Sequence, residues 1–220
     1  MSFRTNIPPT AGVVVPSSDG RLSAPSAEKN AGPITELVKE FAPDRGQALE
    51  IASGTGQHIV KLAFVKPNLN WQPSDVDQLR LASIETWCKD YNLVNVRPPV
   101  ILNATEIGWS SKFNRQRFIL LVNLIHLISE DEAKILITEI SSALAPGGRS
   151  IIYGPFKRNN KLTSVGDQTF HQSLIEADPQ IGYKNDAWMT AKFKEAKLGL
   201  LKVVPMPANN LAFICEKPRM

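Results

Sequence analysis

The sequence predicts an α/β fold in which helices cover both faces of a mainly parallel sheet. Between about residues 33 and 153, short apolar runs alternate with segments of helical periodicity, which is the pattern of successive strand and helix units. Such units connect through right-handed crossovers and so produce parallel strands. Glycines follow the first predicted strand directly, at the edge of the sheet where folds of this class bind their ligands.

Length and composition are those of one globular domain with a short arm. The 220 residues are 43% hydrophobic, which is enough for a single large core. Residues 1–25 are rich in Pro, Ser, Gly and Thr and are expected to form a surface arm, with residues 26–220 as the single domain. The formal net charge of +4 is small and the basic residues are scattered, so no nucleic-acid partner is expected.

Cysteine use and hydropathy favour a cytoplasmic protein. Cys88 and Cys215 are the only cysteines and lie far apart in apolar patterns, so both are expected to be reduced core residues. No apolar run approaches the roughly 18 residues that a membrane span needs, and the amino terminus lacks the hydrophobic core of a signal peptide. The histidines are too dispersed for a recognisable metal motif, so no metal is expected; they are His58, His126 and His171.

The first half of the chain contains elements with clear boundaries. Pro33 is expected in the first turn of a short helix that Pro43 ends, and the apolar face of this helix is Ile34, Leu37, Val38 and Phe41. The elements that follow are strands at 47–52, 69–74, about 98–103 and 117–123, and helices at 56–66 and 77–91.

The second half begins with a capped helix and ends with a hairpin. Ser129 and Glu132 form a capping box that opens the helix, residues 146–148 (PGG) close it, and RSIIY at 149–153 is the next strand. The apolar runs LLKVVPM and LAFICE are joined by the short PANN, so the last two strands are expected to pair as an antiparallel hairpin. Helices are predicted before them, around 167–177 and 186–197.

The stretch ALEIASGTGQH, at 48–58, has the properties of a ligand-binding loop. Gly54 and Gly56 fall where a buried strand turns into a helix, so the backbone there can approach a ligand closely. A dinucleotide fingerprint needs a third glycine where Ile59 stands, which weakens an NAD site. Glu50 would be buried near the end of the strand and needs a partner, such as a ligand ammonium or the loop N–H groups. The alternative is an ordinary structural turn.

A second acid follows at the spacing of a ribose-binding site. Asp75 ends the next predicted strand, 19 residues after Gly56, close to the offset of about 20 at which a carboxylate meets a ribose hydroxyl in nucleotide-binding sheets. The alternative role is helix capping, which Asp77 fills as well.

These residues resemble the class I S-adenosylmethionine-dependent methyltransferases, and further blocks make the resemblance more specific. Taken together, the blocks are similar to the methyltransferase-like 26 family across about residues 22–216: LEIASGTGQH, WQPSDVD, NVRPP, NLIHLI, PGG followed by YGPFKR, and MPANNL. The resemblance implies the Rossmann-like fold of class I methyltransferases, with a seven-stranded, mostly parallel sheet whose last strand is antiparallel. It implies S-adenosyl-L-methionine as the cofactor and names no acceptor.

The resemblance also implies positions for the cofactor. The methionine and ribose parts would lie among Glu50, Ala52, Ser53, Gly54 and Gly56, with Asp75 on the ribose hydroxyls. The adenine would lie against LNATEIGW at Asn103 and Ala104, where Asn103 replaces a common acid and keeps a hydrogen-bonding group. Trp109 is expected either to stack near the adenine or to anchor the core. In AEKNAGP, the resemblance implies a lid over the cofactor formed by Glu28, Asn30 and Gly32, with helix capping by Asn30 as the alternative.

Candidate acceptor-site residues follow the later strands. Asn123 is the first polar side chain after the buried run 118–122, and it is expected to bind the cofactor's amino-acid end or the acceptor. His126 would orient or deprotonate the acceptor, or would be a satisfied histidine at a loop end. Tyr153, Lys157 and Arg158 are candidates for lining the acceptor pocket, and solvated loop positions are the alternative for the basic residues. The resemblance alone adds Asn209 and Asn210, for which turn positions in the last hairpin are the alternative.

Three functions are compatible with these patterns. The first is an S-adenosylmethionine-dependent methyltransferase with a small-molecule acceptor, in which the protein supplies alignment and, for an acidic acceptor, a base. The second is a non-catalytic S-adenosylmethionine-binding partner or sensor, because no unmistakable acid or base stands out. The third is an NAD-dependent oxidoreductase, against which the missing third glycine counts.

Overall fold

The computed structural model of the chain describes residues 12–219, so the expectations for residues 1–11 of the arm lie outside the described part. The strands are β1 (Val15–Pro16), β2 (Leu22–Ser23), β3 (Gly46–Ile51), β4 (Leu69–Asp75), β5 (Val100–Ile101), β6 (Gln116–Val122), β7 (Leu144–Pro155), β8 (Gly199–Pro205) and β9 (Asn210–Glu216). The helices are α1 (Pro25–Phe41), α2 (Gln57–Val65), α3 (Gln78–Asp90), α4 (Trp109–Lys112), α5 (Glu130–Ala143), α6 (Val165–Ala177) and α7 (Asp186–Glu195), with a 3-10 turn at Ile125–Leu127.

Seven strands form one sheet in the order β5-β4-β3-β6-β7-β9-β8. Neighbours from β5 to β7 pair in parallel, whereas β9 runs antiparallel to both β7 and β8. The predicted mostly parallel sheet with an antiparallel last strand is therefore confirmed. The chain leaves the central pair β3 and β6 in opposite directions, which opens a crevice at the carboxyl ends of these two strands.

Helices cover both faces of the sheet, and each face has its own apolar core. One core packs α1, α2 and α3 against the sheet, with Trp71 and Phe118 among its largest side chains. The other packs α5 and α7 against the opposite face and contains Leu49. Successive side chains of a strand point to opposite faces of the sheet. Glu50 therefore lies opposite to Leu49 and on the same face as Ala48, which packs toward α1, α2 and α3.

The first long helix, α1, differs from the prediction because it begins at Pro25 and places Pro33 in its interior. Pro25 occupies the start of the helix, where a backbone N–H would have no partner within the helix. The buried face of the added turns contains a polar residue, which hid the helical pattern in the sequence; this face is Ala27, Asn30, Ala31 and Ile34. Asn30 lies inside the helix, so the interpretation of Asn30 as a helix cap is wrong.

Two strands differ in length from the prediction. β5 is only two residues long, because it lies at the sheet edge and pairs with β4 at two positions. β7 begins at Leu144 and includes residues 146–148, which were predicted as a turn. Its pairing with β6 passes from Gln116 opposite Leu144 to Phe118 opposite Arg149, so the extra residues form a bulge in the strand.

The remaining features concern the arm and the thiols. β1 and β2 pair as a small antiparallel hairpin ahead of α1. Cys88 and Cys215 are both free thiols, and Cys215 is buried in the core, as predicted. Within residues 12–219, none of the helices has the length and hydropathy to cross a membrane.

Candidate functional site

The loop between β3 and α2 has a left-handed backbone at three positions. Ala52, Gly54 and Gly56 have φ angles of 53°, 60° and 94°. A Cβ on Gly56 would lie 3.0 Å from Cα of Ile84 on α3, so this position excludes larger residues. A Cβ on Gly54 would meet nothing within 4 Å. Gly56 therefore serves packing, whereas Gly54 borders open space in which a ligand group fits.

Glu50 has a buried carboxyl group without a hydrogen-bond partner among the described residues. The residue is 1% exposed, and neither Oε1 nor Oε2 is bonded. The hydroxyls of Ser53 and Ser74 donate instead to the main-chain carbonyl of Glu50, at 3.2 and 2.8 Å. Burial, followed by the charge of Asp75, raises the pKa of Glu50 to about 8. Buried polar groups are nearly always paired, so this carboxyl indicates a partner supplied by a ligand.

Asp75 is fixed to the glycine loop by its carboxylate. One oxygen accepts the backbone N–H of Gly54 at 2.9 Å, and the other accepts those of Val76 and Asp77 at 2.8 and 3.2 Å. Arg80 lies 3.8 Å from the first oxygen. Burial raises the pKa of Asp75, against the opposite effects of Arg80 and the N–H groups. Asp77 is the residue that caps α3. Asp75 thus organises the loop, and it retains lone pairs for a further donor.

A cavity of about 130 Å³ lies against this loop. It brings together three parts of the chain, namely the arm with the start of α1, the glycine loop, and the carboxyl end of β6. Among the predicted site residues, its walls include Ala52, Ser53, Gly54 and Asn123. The cavity therefore lies at the crevice where the strand order reverses.

The arm is attached to α2 and α3 by hydrogen bonds of its backbone. The N–H of Leu22 donates to the hydroxyl of Ser83 at 2.8 Å, and the indole of Trp87 donates to the carbonyl of Leu22 at 3.0 Å. The N–H of Ala24 donates to the side chain of Gln57 at 2.6 Å. These contacts hold the start of α1 over the first turn of α2.

Asn30 and Tyr153 belong to one buried polar network. His58 Nε2 donates to Asn30 Oδ1 at 2.8 Å, and burial followed by Lys61 lowers the pKa of His58 to about 4. Tyr153 is 1% exposed, its hydroxyl accepts from Asn210 Nδ2 at 3.0 Å, and the nearby Asn30 side chain opposes the rise that burial causes in its pKa. These neutral polar groups lie where α1, α2, β7 and β9 meet. The other residues of the predicted lid, Glu28 and Gly32, lie on the exposed face of α1.

The predicted adenine segment folds into a tight turn. Asn103 Oδ1 accepts the backbone N–H and the hydroxyl of Thr105, at 3.1 and 2.8 Å. Ala104 is buried, and its carbonyl accepts from the indole of Trp109 at 3.1 Å. Because Trp109 is also buried in the core beside α5, it serves as a packing anchor.

Asn123 and His126 follow β6, but they have different surroundings. Asn123 has a left-handed backbone with φ of 57°, donates its N–H to the carbonyl of Tyr153 at 2.9 Å, and lines the cavity. His126 is 4% exposed, and its ring packs edge-on against Phe170 and Tyr183. Burial, followed by Lys184, lowers the pKa of His126 to about 3, so the ring is neutral and only weakly basic.

The basic pair after β7 lies away from the walls of this cavity. Lys157 lines a different cavity, together with His171. Arg158 Nη2 donates to the carbonyls of Asn209 and Asn210, both at 3.3 Å, and so holds the turn between β8 and β9. The structure thus separates these residues from the glycine loop.

Two residues of the site were missed by sequence reasoning. Arg80 lines the cavity beside Asp75, and Gln57 ties the arm to the loop. Both stand in the first turn of a helix that begins next to the cavity, which is the signal that identifies them. Within the described residues, no group of three or more His, Cys, Asp or Glu side chains is arranged to hold a metal ion.

Several solved structures share this fold. An O-methyltransferase family protein from Burkholderia thailandensis is 16% identical with a TM-score of 0.73, and the match covers 88% of this chain and 58% of that one. An O-methyltransferase family 2 protein from Planctomyces limnophilus in complex with apigenin is 16% identical with a TM-score of 0.72, covering 87% and 60%. Human N-acetylserotonin methyltransferase in complex with SAM is 10% identical with a TM-score of 0.67, covering 88% and 53%.

The likeness to these proteins concerns the fold, since the identities are low, and this chain spans only 53% to 60% of their lengths. Their fold is that of class I methyltransferases, which agrees with the fold predicted from the sequence. A family profile described as "Protein of unknown function (DUF938)" matches residues 21–217, nearly the whole chain. The chain therefore belongs to the DUF938 family.

Proposed function

We propose that this protein is an S-adenosylmethionine-dependent methyltransferase that acts on a small-molecule acceptor, and that it is a member of the methyltransferase-like 26 family. The observation that carries the proposal is the buried, unpaired carboxyl group of Glu50 beside the glycine loop. A cationic ammonium group is the ligand feature that best compensates a buried carboxylate. S-adenosylmethionine carries such a group on its methionine part.

The residues at the crevice fit the parts of this cofactor. Glu50 would face the ammonium group, and Gly54 leaves room for the methionine or ribose part. Asp75 has lone pairs left for a ribose hydroxyl, and Arg80 stands beside it. The proposed cofactor residues, which include the adenine turn and the α1 network, are Asn30, Glu50, Ala52, Ser53, Gly54, Gly56, Asp75, Asn103, Ala104 and Asn123.

The proposed catalytic residues act by positioning. When bound, S-adenosylmethionine supplies an electrophilic methyl carbon on a sulfonium, so alignment of the acceptor is the main task of the protein. Asn123 offers an amide at the cavity wall for orienting either partner. His126 is a neutral ring behind that wall, and Tyr153 fixes the position of Asn123 through its main-chain carbonyl.

Because the cavity is small, the arm must move outward when the cofactor binds. Its volume of about 130 Å³ is below the roughly 300–1,000 Å³ of small-molecule pockets. Residues 12–14 of the arm form part of its wall, and this part of the arm lies ahead of the contacts that Leu22 and Ala24 make. We infer that the segment before β1 swings away while the start of α1 stays attached.

A small acceptor agrees with what the structural neighbours bind. One neighbour is in complex with apigenin, and another is described as mitomycin 7-O-methyltransferase. This chain spans only 60% and 54% of those two proteins. The cytoplasmic location stays a prediction from the sequence.

The test is calorimetric titration of the purified protein with S-adenosylmethionine, S-adenosylhomocysteine and NAD in parallel. Binding of the first two, with a large loss in Glu50→Gln, would support the proposal. Glu50→Gln is nearly isosteric and removes only the ability to carry charge, so its fold can be checked by circular dichroism. Binding of NAD alone, or of none of the three, would contradict it.

A non-catalytic cofactor-binding protein is the second candidate, and the ionisation of the site favours it. His126 is neutral with a strongly lowered pKa, and burial raises the pKa of Tyr153, so neither group is a ready base at neutral pH. Transfer of labelled methyl groups to a panel of phenols, thiols and amines separates the two functions. Tight cofactor binding with no transfer to any member of the panel would favour the sensor.

A further inference from the structure

A second cavity, of about 490 Å³, lies between the start of α5, the loop after β7 and the segment that follows α6. We call it the His171 cavity, after the buried histidine in its wall. None of its lining residues also lines the cavity at the glycine loop. Its volume falls within the roughly 300–1,000 Å³ of small-molecule pockets.

The ring of His171 is held in one orientation and one tautomer. The backbone N–H of Tyr183 donates to His171 Nδ1 at 3.1 Å, so Nδ1 is the accepting nitrogen and a neutral ring carries its hydrogen on Nε2. The Nδ1 and Cε1 atoms lie against Gly182, where an added Cβ would be only 2.9 and 2.7 Å away. Gly182 has a φ of 130°, so its missing side chain makes room for the ring.

The Nε2–H group of this ring makes no hydrogen bond to the described residues and is open to the solvent of the cavity. His171 is 9% exposed, and within residues 12–219 no acceptor lies within hydrogen-bond distance of Nε2. The Nδ1 atom alone accounts for the structural role of the side chain, because it accepts the backbone N–H of Tyr183. An oriented donor in a cavity wall therefore offers a hydrogen bond to an acceptor group in the cavity.

Two lysines line the same cavity as this donor. Among the described residues, the ammonium of Lys157 makes neither an ion pair nor a hydrogen bond. The ammonium of Lys184, also in the wall, donates to the carbonyls of Ile128 and Gly182. Burial, then Lys157 and Lys184, lowers the pKa of His171 to about 4, so the ring stays a neutral donor near pH 7.

Two acids also line the His171 cavity, but both are exposed. Glu130 and Asp131 stand in the first turn of α5, and Asp131 is paired with Lys134 at 2.8 Å. Exposed carboxylates are screened by water and salt, whereas charges and donors in the wall of a cavity act at higher strength. The unpaired ammonium of Lys157 and the Nε2–H group of His171 are therefore the groups in this cavity that favour an anion.

We propose that the His171 cavity binds a small molecule through a carboxylate or phosphate group, with His171 Nε2–H and the Lys157 ammonium as the donors. This binding site is independent of the function proposed above, since it uses other residues and needs no S-adenosylmethionine. Hydrogen bonds from an ammonium to a carboxylate or phosphate are charge-assisted and stronger than those between neutral groups.

The test follows the histidine ring nitrogens by NMR in protein labelled with nitrogen-15, without S-adenosylmethionine. Inorganic phosphate and acetate are titrated in separate arms, each against sodium chloride at matched ionic strength. We expect a saturable shift of the His171 Nε2 signal in at least one arm, while the signals of His58 and His126 stay in place. Shifts that only follow ionic strength, or no shift with either anion, would overturn the proposal.

Variants of the two donors sharpen the test. His171→Asn keeps an oxygen near the Nδ1 position to accept the Tyr183 N–H and removes the Nε2 donor, so calorimetry should show weaker anion binding. Lys157→Gln should weaken binding by roughly tenfold or more, as expected for loss of a charge-assisted hydrogen bond. Lys161→Gln, an exposed lysine of the same loop, is the matched control and should bind as the wild type does. If Lys157→Gln bound the anion as tightly as the wild type, the proposal would fail, even if His171→Asn did not fold.

Discussion

The carboxylate of Asp75 accepts a hydrogen bond from the backbone N–H of Gly54 at 2.9 Å. The acid at the end of β4 and the glycine loop after β3 are therefore one structural unit, formed because parallel neighbours end at the same edge of the sheet. The spacing of the two motifs in the sequence reflects this contact as much as it reflects any ligand. Mutations at either residue are expected to affect both the stability of the loop and the binding of a cofactor.

Asp75→Ala should destabilise the protein as well as weaken cofactor binding. The change leaves the N–H groups of Gly54, Val76 and Asp77 without their acceptor, and each unpaired donor costs about 1–3 kcal/mol where it is buried. Because part of this loop can reach water, we expect a loss of about 2–4 kcal/mol in the free energy of unfolding. Urea denaturation followed by circular dichroism measures it.

Asp77→Ala is the matched control for this prediction. Asp77 is exposed, and its side chain caps α3 through the N–H of Leu79 at 2.8 Å, so its loss should cost only about 1 kcal/mol. Equal urea midpoints for Asp75→Ala and the wild type would show that the three hydrogen bonds do not stabilise the loop.

Gly54→Ala and Gly56→Ala should differ in which property they damage. Both positions have positive φ, which costs an alanine about 1–2 kcal/mol. At Gly54 the new methyl group meets open space, so the protein should fold and lose cofactor affinity. At Gly56 it would lie 3.0 Å from Cα of Ile84 and 3.2 Å from the ring of Trp87, so α3 must move and a further 1–3 kcal/mol or so is lost.

Thermal unfolding and calorimetric titration of both variants check this contrast. The expected pattern is a folded Gly54→Ala protein with weak S-adenosylmethionine binding, and a much lower melting temperature for Gly56→Ala. Unchanged affinity in Gly54→Ala would mean that the open space beside Gly54 is not part of the ligand site.

The fold could be predicted from the sequence because its signals are local. The buried strands β6 and β9 are apolar runs, and turn residues such as Pro43 and Pro67 mark the boundaries between strands and helices. The misjudged start of α1 has a tertiary cause. Asn30 interrupts the apolar face of the helix, and its burial depends on His58, which lies 28 residues away in the sequence.

The site could be predicted only where the strand ends define it. Glu50 and Asp75 stand at the ends of predicted strands, so their positions at the sheet edge followed from the topology. The environment of His126 could not be predicted, because Phe170 and Tyr183 reach its ring from a segment with weak periodicity. Burial by such distant residues decides whether a histidine is a base or a neutral ring.

Binding of S-adenosylmethionine should release protons at pH 7. Burial holds the pKa of Glu50 near 8, so the group is mostly protonated without ligand, and a nearby ammonium favours the carboxylate. The apparent binding enthalpy should therefore differ between phosphate and Tris buffers, which absorb the released proton with different heats. Glu50→Gln should show no such difference, and equal enthalpies for the wild type in both buffers would refute the ionisation of Glu50 on binding.

Stability should be highest near pH 7 and should fall on both sides. On the acid side, His58, His126 and His171 have pKa values of about 4, 3 and 4, below the ordinary 6.5, so the unfolded chain binds more protons and stability is lost as the pH falls below 6.5. On the other side, Glu50 has a pKa of about 8 instead of the ordinary 4.5, so the folded state binds more protons and stability is lost as the pH rises toward 8.

The difference in stability between the wild type and Glu50→Gln isolates the contribution of Glu50 between pH 6.5 and 8, because the three histidines titrate alike in both proteins. One proton corresponds to a slope of at most about 1.4 kcal/mol per pH unit, so the wild type should lose about 1–2 kcal/mol relative to Glu50→Gln across this range. Urea midpoints at several pH values should show this relative loss in the wild type and in Glu85→Gln, an exposed glutamate on α3. Parallel pH profiles of the wild type and Glu50→Gln would assign the titration to another group and would mean that the carboxyl of Glu50 is ionised in the folded protein.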